Sequence, residues 1–273
     1  MERKVIAYTV KDRIATITLN RPQRRNSWTG RMHVEYRWSV EQAENDPEVR
    51  AVLVTGAGRD FCVGADSRAL EGHVEKGGYD PGTPDSMPTP GYGVRPEFDA
   101  DFAYQFGLTK PVIAAINGAV AGAGLAVACY ADIRFAAEGA KFTTAHGALN
   151  LPAEFGLSWL LPRLMGVTRA NDILLTSRIF LAEEAYELGL VNKVLPFDEL
   201  LPYTYDYIRK MIARVSPGSL RATKNQIYAD LHGDAASAVQ RSRSLIDRMM
   251  TESDFREGVA AFTEKRPPRW SGK

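Results

Sequence analysis

Apolar residues in this chain fall into short runs broken by glycine, proline and charge, and their period switches repeatedly from strand-like to helix-like. VIAYTV (5–10) and IATITL (14–19) alternate β-branched residues and predict two short strands around a turn at Lys11-Asp12-Arg13. Asn20-Arg21-Pro22 ends that pattern. Met32, Val34, Tyr36, Val40 and Ala43 then predict a helix from near Thr29 to Asn45, stopped before Pro47. AVLVTG (51–56) is a continuous apolar run closed by glycine, as in a strand buried on both faces. GRDFCVGAD (58–66) reads as the loop that follows it.

The most informative run is KPVIAAINGAVAGAGLAVACYADI (110–133), in which a buried strand passes through a glycine-punctuated turn into a helix of small residues. Such a turn admits close approach to the backbone, and the helix beginning there aims unpaired N–H groups and its positive dipole end outward. That arrangement suits a negative charge developing on oxygen. Residues 111–129 carry no charge, so a membrane span is one alternative, but Asn117, three glycines and the lack of Leu/Ile/Phe density oppose it. A dinucleotide-binding turn is another, since Gly122-Ala123-Gly124 matches the start of GxGxxG; Val127 stands at the third glycine position, and no opening βαβ unit precedes it.

Residues 71–100 hold six glycines and five prolines with little periodicity, which predicts a long loop: a flap beside the site or a surface insertion. ADIRFAAEGAKFTT reads as strand, tight turn, strand; SWLLPRLMG, ANDILLTS and AEEAYELGL read as short helices; VNKVLPFDEL adds a strand. Residues 201–268 are mainly helical, with starts near Ser216-Pro217 and Ala235. Alternating strands and helices followed by an all-helical tail predict an α/β core with a helical appendage, whose apolar faces call for self-association.

Composition narrows the function classes. With 34 basic and 33 acidic residues the net charge is +1, which points away from a nucleic-acid or acidic-membrane partner. Cys62 and Cys129 are too few for a disulfide scaffold, and His33, His73, His146 and His232 form no metal-ligand spacing, so no cofactor is expected. MERKVIAYTV lacks the apolar stretch of a signal peptide, which makes the cytoplasm the expected location.

NRPQRRNSW, VLVTGAGRDFCVGAD, KPVIAAINGAVAGAGLAVACYADIRFAAEGAKF, SWLLPRLMG, AYELGLVNKVLP and DFREGVAAFTEKRPPRW resemble, in order and over nearly the whole chain, the crotonase (enoyl-CoA hydratase/isomerase) superfamily. The resemblance implies a spiral of β-β-α repeats over 1–200 and a helical trimerisation region over 201–273. It also implies trimers or dimers of trimers, and an acyl-CoA thioester as substrate. By motif position the backbone donors to an enolate oxygen are Ala65 and Ala123. The family usually has glycine at the second place; alanine keeps the N–H and requires a negative φ. A hydratase of this family works with two glutamates, and those positions are Ala126 and His146 here. The resemblance further implies Glu154, in LPAEFGLSW, as acid/base; His146, an imidazole able to take or give a proton, is a second candidate from its residue type. Arg24, Arg25, Phe262 and Lys265 match positions that hold the nucleotide part of CoA.

From the residues themselves, Leu151, Phe155, Leu157 and Trp159 around Glu154 would raise its pKa by desolvation, although a carboxylate before a helix also complements the dipole. Asp66 reads as a loop or cap residue. Three functions stay open: a one-base acyl-CoA isomerase or hydratase, a β-diketone-type C–C hydrolase using His146 with Glu154, and a non-catalytic acyl-CoA-binding member.

Overall fold

VIAYTV and IATITL form the hairpin β1 (Ile6–Lys11) and β2 (Ile14–Leu19), turned by Asp12 and Arg13 at φ 52° and 63°, a handedness that matches strand twist. The computed structural model describes residues 2–77 and 98–271. Helix α1 (Gly30–Asn45) follows, with the Thr29 hydroxyl accepting from the Met32 N–H at 3.2 Å as its N-cap. β3 (Ala51–Gly56) and β4 (Val112–Ile116) extend the sheet in parallel, and β6 (Ile133–Ala137) and β9 (Lys193–Leu195) complete it in the order β1-β2-β3-β4-β6-β9.

Side chains alternate between the two faces of this sheet. Val52 and Val54 join the main core with Met32, Tyr36 and Val40 of α1. Ala51 and Leu53, with Ile113 and Phe135, face Leu200 and Ile208 of α8 (Phe197–Arg214). Burial on both faces explains why β3 and β4 read as unbroken apolar runs.

The segment 110–133 is no single span. It breaks into β4, a two-residue strand β5 (Val120–Ala121) and helix α4 (Ala123–Cys129). Among the described residues no helix is long and apolar enough to cross a membrane. The strands read from ADIRFAAEGAKFTT both form but do not pair: β6 lies in the large sheet, while β7 (Lys141–Thr143) joins β5 and β8 (Phe180–Leu181) in a second one. Periodicity identifies a strand without naming its neighbour.

The expected loop over 71–100 needs correction at its start, because α2 (Ser67–Lys76) continues through it. Gly72 is tolerated there, since a Cβ on it would meet nothing within 4 Å. The flap expected over the remainder falls largely on 78–97, outside the described residues. The chain resumes with buried Phe98, and α3 (Tyr104–Gly107) leads to β4. Helices α5 (Leu157–Met165), α6 (Val167–Thr176) and α7 (Ala182–Glu187) match the three short segments expected. In the tail, α9 (Pro217–Asp230) and α10 (Ala235–Met249) are capped by Ser216 and Asp234, and α11 (Ser253–Glu264) follows. Lys224 fastens α9 to the core by donating to Gln105 O, Lys110 O and Asp132 at 2.8–3.0 Å.

Candidate active site

The loop after β3 and the turn after β4 are sewn together along their backbones. Ala119 O accepts from the Phe61 and Cys62 N–H groups at 3.1 Å, and the Ala121 N–H donates to Cys62 O at 2.9 Å. Asn117, at the end of β4, donates to Gly58 O at 2.9 Å and accepts from the Gly56 N–H at 3.0 Å. The glycines are required by contact. A Cβ on Gly118 would lie 1.8 Å from Arg59 O, and one on Gly124 would lie 2.4 Å from Cys62 O. This stitching places FCVGAD against AGAG, although the motifs are far apart in sequence.

Peptide geometry then fixes where two N–H groups point. Gly64 O accepts from the Trp28 N–H at 2.7 Å, and every peptide bond described is trans, so the Ala65 N–H of the same peptide unit points away from Trp28. Gly122 O accepts from the Ala126 N–H at 3.0 Å along α4, so the Ala123 N–H points out of the helix start. Ala123 is helical and absent from the residues with positive φ, which satisfies the requirement that alanine imposes there. Gly122 carries the reversal at φ 47°. Among the described residues neither N–H has a protein acceptor. Backbone donors without acceptors, carried on two turns stitched together, can hold an oxyanion without reorganising.

Glu154 faces the same turn. A Cβ on Gly122 would sit 3.7 Å from Glu154 Oε2 and 3.7 Å from Gly64 Cα, so carboxylate and both backbone turns meet at one point. Phe155 and Gly156, at φ 50° and 72°, make the bend that presents Glu154 before α5, and the Tyr130 hydroxyl donates to Phe155 O at 3.0 Å to hold it. Burial raises the Glu154 pKa, and charge on His146 pulls it partly back. An aromatic column of Trp28, Phe102 and Phe155, with ring centroids 5.2 and 4.9 Å apart, links the Ala65 side of the site to the Glu154 side.

His146 arrives on the turn after β7, and Ser177 Oγ accepts from the Thr144 hydroxyl and the Gly147 N–H, each at 3.1 Å. The imidazole is buried and its Nδ1 lacks a hydrogen-bond partner among the described residues. Ala126 is fully buried within α4. Both cysteine thiols are pushed up to about 12 by burial, which removes them as nucleophiles. No group of three His, Cys, Asp or Glu side chains able to hold a metal ion lies among the described residues.

The four coenzyme candidates are not assembled at this point. Arg24 donates to Asp66 Oδ1 at 3.3 Å, and Arg25 makes a bidentate pair with Asp60 at 2.9 and 3.0 Å. Phe262 is 87% exposed on α11 and Lys265 ends that helix at φ 52°. Among the described residues no hydrogen bond, ion pair or ring contact joins either to Ala65, Ala123 or Glu154. The network around Asp66 was not legible as more than a cap. Its partners Arg21 and Ser27 lie in a loop with no periodic signal.

An α/β core with a parallel-rich sheet and C-terminal helices, with two glycine turns stitched together beside it, matches the crotonase fold. The family model described as enoyl-CoA hydratase/isomerase matches residues 9–273. A 1,2-epoxyphenylacetyl-CoA isomerase of Escherichia coli is 35% identical over 97% of each chain. A probable enoyl-CoA hydratase of Mycobacterium tuberculosis is 38% identical over 93% of this chain and 88% of its own. The crystal structure of an enoyl-CoA hydratase/isomerase from Mycobacterium paratuberculosis superposes over 100% of both chains with a TM-score of 0.86 at 30% identity. The chain belongs to the enoyl-CoA hydratase/isomerase family of the crotonase superfamily.

Proposed function

We propose that the protein removes a proton α to the carbonyl of an acyl-CoA thioester, with the Ala65 and Ala123 N–H groups on the enolate oxygen and Glu154 as the base. The observation that carries this reading is the meeting of the Glu154 carboxylate with both acceptor-free donor turns at Gly122. In a 3-enoyl thioester the Cα–H electron pair moves toward the carbonyl oxygen and gives a dienolate. The same carboxylic acid then returns the proton at Cγ, which restores the carbonyl and leaves the double bond between Cα and Cβ. One base suffices for this migration. On this reading hydration by two carboxylates lacks its groups, because the positions that match the family's glutamates hold Ala126, which moves no proton, and His146. The isomerase name of the Escherichia coli relative is in keeping with one-base chemistry.

Arg24 and Arg25 are the proposed grip on the nucleotide part of CoA. Phe262 and Lys265 would complete it from a neighbouring subunit of a homotrimer or dimer of trimers, in a cytoplasmic protein. The exposed apolar residues Val239, Ile246, Val259 and Phe262 of the 201–273 region support such an assembly. Saturated, 2-enoyl and 3-enoyl CoA thioesters, screened with products identified by mass spectrometry, test the reaction. A 3-enoyl thioester converted to its 2-enoyl isomer is expected, together with thermal stabilisation by saturated acyl-CoA. Product carrying added water as the main outcome would sink the one-base reading.

A second reading draws on the buried, unpartnered His146 Nδ1 beside Glu154, which matches a histidine–carboxylate pair activating water on a β-diketone. That protein would not be stabilised by acyl-CoA.

A further inference from the structure

Asp66 is nearly fully buried, and each of its carboxylate oxygens is engaged by more than one donor. Oδ2 accepts from Arg21 Nη2 at 2.9 Å and from Ser27 Oγ at 2.9 Å. Oδ1 accepts from Arg24 Nη2 at 3.3 Å and from the Arg68 N–H at 3.1 Å. Arg21 also donates to Ser27 O at 2.6 Å, so the carboxylate and the 27–28 segment are held by one guanidinium. A cap on α2 needs only the Arg68 contact. The other three donors reach Asp66 from residues 21–27, and they include two cations.

The backbone of Asp66 adds the decisive constraint. Its N–H donates to Trp28 O at 2.9 Å, while Gly64 O accepts from the Trp28 N–H at 2.7 Å. Trp28 and Ala65 therefore face each other as an isolated parallel bridge, and both peptide planes flanking Ala65 are fixed. Rotation of the Gly64–Ala65 peptide, through ψ of Gly64 and φ of Ala65, would swing the Ala65 N–H out of the site and break the bond from the Trp28 N–H to Gly64 O. The Asp66 carboxylate, tied to the segment carrying Trp28, opposes that rotation.

We infer that Asp66 is a positioning residue for the first oxyanion donor: its carboxylate clamps residues 64–66 to the 21–28 segment and so aims the Ala65 N–H at the thioester oxygen. The inference rests on the enolate reading above. In keeping with such a clamp, its hydrogen bonds hold the Asp66 carboxyl far below the usual carboxylate range despite burial, so the charge is present at every working pH.

The test uses butyryl-CoA labelled with carbon-13 at the thioester carbonyl, because hydrogen bonds to that oxygen lower its infrared stretching frequency. Wild-type protein is expected to shift the band of the bound thioester. Asp66→Asn is expected to lose at least half of that shift and to slow solvent-deuterium exchange at Cα about 10- to 100-fold at saturating thioester. That is less than the 10²–10³ of outright donor removal. Its KM for butyryl-CoA is expected to stay within about threefold, because a hydrogen bond to the neutral thioester oxygen is weak and strengthens only as charge develops on it. If Asp66→Asn does not fold, Ser27→Ala, which removes one contact to Oδ2, is expected to give the same split at about threefold in rate. A variant that keeps the full band shift and rate, or one that loses only affinity, overturns the positioning role. A wild-type complex with bound butyryl-CoA and no band shift overturns the enolate reading itself, and this inference with it.

Discussion

Glu154→Gln is expected to leave a folded protein that still binds acyl-CoA and has lost turnover by about 10³-fold, within the range for removing a general base. The wild-type rate should rise with pH through the Glu154 pKa, since a base works only when ionised. Burial places that acidic limb above the ordinary glutamate value of 4.5. The limb should vanish in the variant. Stability moves the other way. The folded pKa exceeds the unfolded one, so the native state holds the proton more tightly and loses stability as pH rises through that pKa. Removing the charge should therefore raise Tm at neutral pH. If Glu154 served only to complement the dipole of α5, the same substitution would lower Tm and spare the rate.

Gly124→Ala should damage stability and rate together. The added methyl would lie 2.4 Å from Cys62 O, 2.6 Å from Cys62 Cβ and 2.8 Å from its sulfur, and backbone stitched as tightly as this has nowhere to move. Overpacking of this kind costs about 1–3 kcal/mol. Separating the Ala65 and Ala123 donors by a fraction of an ångström to an ångström should slow turnover about 10²-fold. Gly72→Ala is the control. It sits in α2 with open space around the missing methyl, and its Tm should hold or rise slightly. Equal effects at the two glycines would mean that the turn-to-turn contact does not set the donor geometry.

Much of the fold was legible because its elements repeat simple periods. The hairpin, α1, the buried run of β3 and the helix starts near Ser216-Pro217 and Ala235 all follow from residues adjacent in sequence. What eluded the sequence is long-range. Nothing in the ADIRFAAEGAKFTT segment says that β6 and β7 go to different sheets, because that depends on β5 and β9 elsewhere. The second half of α2 was hidden by Gly72 and by the proline-rich residues beyond it. At the site, Ala65 and Ala123 are named by their motif positions in the resemblance alone. The convergence of Glu154 on Gly122 needed the bend at Phe155 and Gly156, whose left-handed geometry has only one glycine to announce it. The clamp on Asp66 draws its donors from a loop without period, and a cap was all that the sequence offered.

The proposed reaction forms a thioester enolate, with Glu154 moving the α proton. Solvent-deuterium incorporation at Cα of butyryl-CoA, followed by mass spectrometry, measures that step without requiring any particular product. Wild-type protein should incorporate deuterium at Cα, and Glu154→Gln, with acyl-CoA binding retained, should not. Incorporation at the same rate in both proteins, or none in a wild-type protein saturated with butyryl-CoA, would rule out Glu154 as the base or the enolate itself.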